Sequence, residues 1–204
     1  MTGYKKLTVD YENYLLHLIF GREFNLEVCV DLAYLDFNRT LRGISKIVGK
    51  EAIHDGAKGR IIGVLEQLRA ESNSMNQSKF DDWHRNACQA IKSTYPSDCN
   101  FSAGQAQKWL NMSLKYIYTL GDEKIPGFRL VYAYCHAPLD NVFIASLKMF
   151  GFGKLTKAWS QIDYEEYFNH QRWIRTKFAP VPPLEVEFWL WMGKEIPPCT
   201  GATP

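Results

Sequence analysis

The chain predicts an all-α fold, a compact bundle of about eight helices, and three observations carry that prediction. Apolar residues recur at i, i+3 and i+4 through most of the chain. Capping residues and glycine or proline stops bracket those stretches, as with Asp10, Gly121 and the Pro180, Pro182, Pro183 group. With 204 residues of which 46% are hydrophobic, the chain can bury a core in one domain, or at most in two small lobes.

Asp10 caps a first helix over 11–24, with Tyr14, Leu15, Leu18 and Ile19 at helical spacing. A second helix over 26–41 carries Val30, Ala33, Leu35 and Phe37. Residues 43–59 are dotted with glycine and read as irregular, before a helix over 59–70. The polar stretch 71–79 reads as a loop, where two helical lobes would divide. Ser78, with Asp81 three residues on, opens a helix to about Thr94. The turn-rich 95–100 segment leads into the best-defined helix, Ser102 to Leu120, stopped by Gly121. Residues 126–136 are open between helix and strand. Pro138-Leu139-Asp140 starts a helix reaching about Phe150, and Ser160 or Asp163 caps another to about Lys177. A Trp-rich segment, Leu184 to Met192, closes a single helical domain over 1–195, with 196–204 as a frayed tail.

Composition narrows the function. The 24 Lys and Arg against 22 Asp and Glu leave a net charge of +2, which excludes a polybasic tail but not a locally basic face. The 12 Phe, 11 Tyr and 6 Trp supply either a heavy core or flat surfaces for stacking on bases. No stretch is apolar enough to span a membrane, and the start lacks the pattern of a secretory signal. The cysteines (Cys29, Cys88, Cys99, Cys135, Cys199) are widely spaced and odd in number, so free thiols in a reducing cytoplasm are expected. His84 and Cys88, four apart, match no standard zinc spacing, and neither a metal nor a cofactor is expected. Gly43 to Glu51 resembles a phosphate loop only faintly: its gap is one residue too long, and Glu51 replaces the Mg²⁺-binding hydroxyl.

The residues that point to chemistry lie in the middle of the chain. On a wheel of about 100° per residue, Ala103, Ala106, Leu110, Leu114 and Ile117 form the core face of helix 102–120. Lys108 and Lys115 fall nearly opposite, on one line, with Gln105 and Met112 between them. A solvated lysine face accounts for that pattern. Asp140 stands at a helix N-cap, where free N–H groups and the helix dipole keep a carboxylate ionised. Capping alone accounts for it, but a fixed negative charge can also take a proton or stabilise a cationic transition state.

Together, Phe101-Ser-Ala-Gly-Gln-Ala-Gln-Lys-Trp-Leu-Asn-Met112 and His136-Ala-Pro-Leu-Asp-Asn-Val-Phe143 resemble the helix-hairpin-helix DNA glycosylases. The likeness is to the 8-oxoguanine glycosylase branch and its archaeal relatives, and covers residues 101–143. Bacterial relatives include anti-phage glycosylases that excise bulky modified cytosines. The usual Leu-Pro-Gly-Val-Gly hairpin is reduced to Gly104, and the four-cysteine iron–sulfur cluster of some relatives is absent. The resemblance implies Lys108 as nucleophile, Lys115 as its fallback and Asp140 as partner. It also implies a cytoplasmic, monomeric enzyme whose partner is double-stranded DNA carrying a damaged or modified base.

Such an amine attacks C1′ only when neutral, which calls for partial burial or nearby positive charge; Lys115 would supply some of the latter. The base must leave the stack and enter a pocket that reads it. Trp83, Gln105, Trp109, Met112, Trp159, Trp189 and Trp191 are the candidates, each tryptophan equally at home in a core. Phosphate contacts fall to Arg85, Lys92, Gly104, Lys115 and His136, with the N–H groups opening helix 102–120 as an anion site. Lys154 and Lys157 add positive charge before the 160s helix. Two other readings stand beside this one. Arg129 and His136 give an Arg-x₆-His spacing that resembles the HEPN nucleases, although Leu130 replaces their usual polar residue. A non-enzymatic helical module would instead line a nucleotide or protein groove with the same aromatics.

Overall fold

The computed structural model describes residues 10–41, 44, 47 and 49–196. Among them the architecture is all-helical, with no strand. Eight α-helices run in order: α1 (Tyr11–Phe20), α2 (Leu26–Phe37), α3 (Lys50–Glu71), α4 (Gln77–Lys92), α5 (Ala103–Leu120), α6 (Asn141–Leu147), α7 (Tyr164–Phe178) and α8 (Pro183–Trp191). Only 44, 47 and 49–51 of the phosphate-loop-like segment are described, and the expected tail lies outside the described residues beyond 196.

Several element boundaries differ from the sequence reading, each for a local reason. Asp10 does cap α1, accepting from the Asn13 amide, but Gly21 at φ +81° ends the helix before Phe24. The second helix passes at Phe37 into a 3₁₀ turn, Asn38–Thr40. Residues 50–59 are helical, not irregular. Ala57, Ile61, Leu65 and Leu68 keep a buried helical stripe while Gly56, Gly59 and Gly63 fall on the exposed face. Periodicity thus outweighs a glycine cost of about 1 kcal/mol each. Asn76, not Ser78, caps α4, accepting from the Lys79 amide at 3.0 Å. The ambiguous 126–136 region forms a 3₁₀ turn, Arg129–Tyr134. The helix after Asp140 becomes 3₁₀ at Lys148–Phe150, and Asp163 rather than Ser160 caps α7.

Helix α5 is the axle of the bundle. It packs most extensively on α2 and also touches α4, α7 and the 159–161 turn. A full capping box opens it: Ser102 Oγ accepts from the Gln105 amide, and Gln105 Oε1 accepts from the Ser102 amide, both at 3.0 Å. The buried apolar residues form two clusters. The larger joins α1–α5 with residues 125–135, Trp159 and Leu184. The smaller joins Ala137, Leu139, α6, α7 and Val186. Helices on both sides of 72–76 contribute to the larger cluster. Helix α8 feeds both clusters and closes the seam between them. No helix among the described residues is long and apolar enough to cross a membrane.

Candidate functional site

At that seam lies a pocket of about 380 Å³ lined by Asp36, Arg39, Lys108, Met112, Lys115, Tyr116, Asp140, Glu187, Phe188, Trp191 and Met192. The residues come from four elements: the end of α2, one side of α5, the cap of α6, and α8 with the residue after it. The side of α5 that the wheel assigned to solvent is therefore covered. Lys108 is 3% exposed, and its ammonium lies 2.6 Å from Asp140 Oδ2. The same carboxylate caps α6, accepting from the Phe143 amide through Oδ1 at 2.8 Å. Burial pushes the Asp140 carboxyl up, but Lys108 and the Phe143 amide outweigh it and hold the group below the usual carboxylate range.

A second ion pair lies beside the first. Lys115 approaches Glu187 Oε1 at 2.7 Å and Oε2 at 2.6 Å, with Glu187 almost wholly buried. Burial raises the Glu187 carboxyl above its ordinary value, against the pull of Lys115. The Lys115 ammonium also stands over the Phe188 ring at 5.0 Å and the Trp191 ring at 5.4 Å. Asp36 is the third carboxylate, likewise raised by burial, and it accepts from the Tyr116 hydroxyl at 2.9 Å. Neither Glu187 nor Asp36 is evident from the sequence reading. The signal for Glu187 is an acid set between Val186 and Phe188 in a helix whose other residues, Glu185 apart, are apolar.

The other candidates are placed elsewhere. Trp109 is fully buried and donates to the Val30 carbonyl at 2.9 Å; Trp83 donates to the Val64 carbonyl at 3.3 Å. Trp159 is buried against the start of α5, and half-buried Trp189 does not line the pocket. Gln105 is tied to the Thr40 carbonyl at 2.9 Å and to the capping box. Of the aromatic candidates only Trp191, 61% exposed, reaches the pocket, together with Met112.

The expected phosphate contacts are similarly redistributed. The Gly104 amide donates to the Ile162 carbonyl at 3.1 Å, so the 159–162 turn takes up that N–H at the start of α5. Gly104 is glycine for packing, since a Cβ would overlap the Trp159 carbonyl oxygen. His136 is fully buried, with ring nitrogens bonded to Tyr167 Oη at 3.0 Å and Asp81 Oδ1 at 2.9 Å, and it presents nothing to a phosphate. That also removes the histidine from the HEPN-like pair; Arg129 lines a separate apolar pocket of about 280 Å³. Arg85 pairs with Glu165 at 3.3 Å over the Tyr164 ring and shares a groove with Lys92, away from Lys108. Lys154 and Lys157 are exposed. Cys29, Cys88, Cys99 and Cys135 are free and buried, and among the described residues no three His, Cys, Asp or Glu side chains converge as metal ligands.

Comparison with protein-family models, with curated proteins and with solved structures returns no match for this chain. The geometry of the pocket therefore stands by itself as the guide to chemistry: a buried amine fixed against an ionised carboxylate, beside an aromatic wall.

Proposed function

We propose that the protein is a DNA glycosylase that flips a damaged or modified base out of double-stranded DNA and excises it. The observation that carries this reading is the pairing of Lys108 with Asp140 at 2.6 Å, from positions 32 apart, at the floor of an aromatic-walled pocket. The likeness of the 101–112 and 136–143 stretches to the glycosylases supports it independently. The pocket's charges also balance, with Arg39, Lys108 and Lys115 against Asp36, Asp140 and Glu187. That suits an uncharged heterocycle rich in hydrogen-bond donors better than a polyanion such as a nucleoside triphosphate.

In this reading the Lys108 ammonium passes a proton to Asp140, and the amine then attacks C1′ of the sugar. The bond from C1′ to the base nitrogen breaks, and the base leaves with its electron pair and takes up that proton from Asp140. Asp140, negative again once it has given up the proton, stabilises the positive charge left on the sugar. The resulting imine can eliminate and nick the strand. Trp191 and Phe188 supply the faces on which the extruded base stacks.

The test is borohydride trapping on duplexes carrying different modified bases and on one carrying an abasic site, with Lys108→Gln and Asp140→Asn alongside. Trapping by the unaltered protein and its loss in Lys108→Gln support the proposal. If no duplex is trapped or yields abasic sites, the enzymatic reading falls; stabilisation by a nucleotide without turnover would then favour a binding module.

A further inference from the structure

The segment that carries Asp140 is gripped from two helices by a repeated device. Ala137 and Leu139 lie outside any helix, with Pro138, which has no N–H, between them. Gln171 of α7 donates to the Ala137 carbonyl at 2.8 Å and accepts from the Ala137 amide at 3.0 Å. Gln107 of α5 does the same at Leu139, donating to its carbonyl at 3.3 Å and accepting from its amide at 3.4 Å. Each side-chain amide thus replaces one residue of a β-ladder, and both glutamines are fully buried.

Behind Gln107 runs a buried chain of polar groups whose directions are mutually fixed. Asn111 Nδ2 donates to Gln107 Oε1 at 3.1 Å and to Tyr167 Oη at 2.8 Å. Tyr167, having accepted, gives its own proton to His136 Nδ1, which leaves His136 Nε2–H for Asp81 at 2.9 Å. Asn111 Oδ1 in turn accepts from His84 Nε2 at 3.0 Å, and Tyr164 donates to His84 Nδ1 at 2.9 Å. Arg175 closes the far end on both oxygens of Asp81, at 3.1 and 2.9 Å. Apart from the Arg175 Nε–H, each group in the chain has a partner of the right kind, the condition under which a buried polar network rigidifies its surroundings.

We propose that Gln107 and Gln171 are positioning residues, which hold Ala137 and Leu139 in place and so hold Asp140 against Lys108. This rests on the glycosylase reading for its catalytic consequence, though the geometry it predicts can be read without activity. Gln107 precedes Lys108 directly and grips the residue before Asp140, so one side chain ties the two reacting groups' backbones together. A displacement of about 1 Å at such a pair is enough to lose up to about a hundredfold in rate.

The experiment compares the full chain with Gln107→Met and Gln171→Met, which keep length but lose both bonds. Three quantities are measured: the thermal midpoint, the Asp140 carboxyl titration by ¹³C NMR, and single-turnover borohydride trapping on an abasic-site duplex with its affinity measured in parallel. Trapping reports imine formation: the Lys108 amine condenses with the C1′ aldehyde, water leaves, and borohydride delivers hydride to the imine carbon. The proposal expects Asp140 to titrate at higher pH in both variants, and trapping to fall about tenfold or more with duplex affinity unchanged. Lower thermal midpoints with unaltered Asp140 titration and unaltered trapping would overturn it, leaving the glutamines as packing groups only. If the unaltered protein traps nothing, the glycosylase reading fails separately, and the Asp140 titration alone decides the positioning role. Should a Met variant not fold, Gln171→Asn, which retracts the amide by one methylene, takes the same measurements.

Discussion

Lys115 and Glu187 face each other across the pocket at 2.6 Å, both largely out of water. A pair so placed is expensive to break and cheap to replace. Lys115→Met leaves Glu187 buried without its counter-charge and is expected to cost about 3 kcal/mol. The double variant Lys115→Met with Glu187→Leu is expected to fall within about 1 kcal/mol of the unaltered protein. Urea unfolding of the two single variants and the double supplies the coupling energy. Additive losses would show that the pair makes no contribution of its own.

Asp140 performs two tasks that substitution separates. Asp140→Asn keeps an acceptor for the Phe143 amide and is expected to retain the α6 cap while removing the charge. Asp140→Ala loses the cap, at about 1 kcal/mol, and strands the Lys108 ammonium as well. The alanine variant should therefore unfold at clearly lower denaturant than the asparagine variant, while both lose trapping. Equal midpoints would deny the capping role.

Gly104→Ala tests the packing of α5 on the 159–162 turn. The added Cβ meets the Trp159 carbonyl, which is backbone and cannot swing aside. A loss of about 2–3 kcal/mol is expected, measured by thermal or urea unfolding. A neutral outcome would mean that the turn yields freely.

The polar chain beneath the site predicts an acid limit to stability. Burial lowers the pKa of His84 and His136 below the ordinary 6.5, so both are neutral in the folded protein. The unfolded chain binds more protons through that range, so stability is complete above about pH 6.5 and declines as pH falls below it. Asp81 adds to this at lower pH. Its burial raises the carboxyl, but bonds from His136 and Arg175 pull it well below the usual range. Its contribution is present above the ordinary aspartate pKa and is lost as pH falls further. The thermal midpoint is expected to drop by at least about 5 °C between pH 7 and 5. His136→Gln should flatten that drop; an unchanged slope would remove His136 from the cause.

The all-helical fold and most caps are legible in the sequence because they are local. Asp10, Ser102, Asp140 and Asp163 each stand three residues before the amide that they accept from. What the wheel of α5 misses has one physical cause. Periodicity finds the face made of apolar side chains, but α5 is buried on nearly all sides, and Gln107, Asn111 and Ser113 enter the core through hydrogen bonds instead. Lys108 reads as solvated for the same reason, because its cover comes from Asp140 and α8, far away in the chain. The tryptophans mislead in the opposite direction: Trp109 and Trp83 have the chemistry of a base-stacking pocket and the positions of core residues. His136 carries no sequence sign of burial, since its partners Asp81 and Tyr167 lie on other helices.

The placement of the lysines and glutamine on α5 has a consequence for how the molecule can change over generations. One helix is both the centre of the bundle and the bearer of the proposed reacting groups, so robustness and the proposed chemistry draw on the same eighteen positions, Ala103 to Leu120. A lineage selected for durability alone would drift toward leucine at 107, 108, 111 and 115, gaining resistance to heat and losing the site.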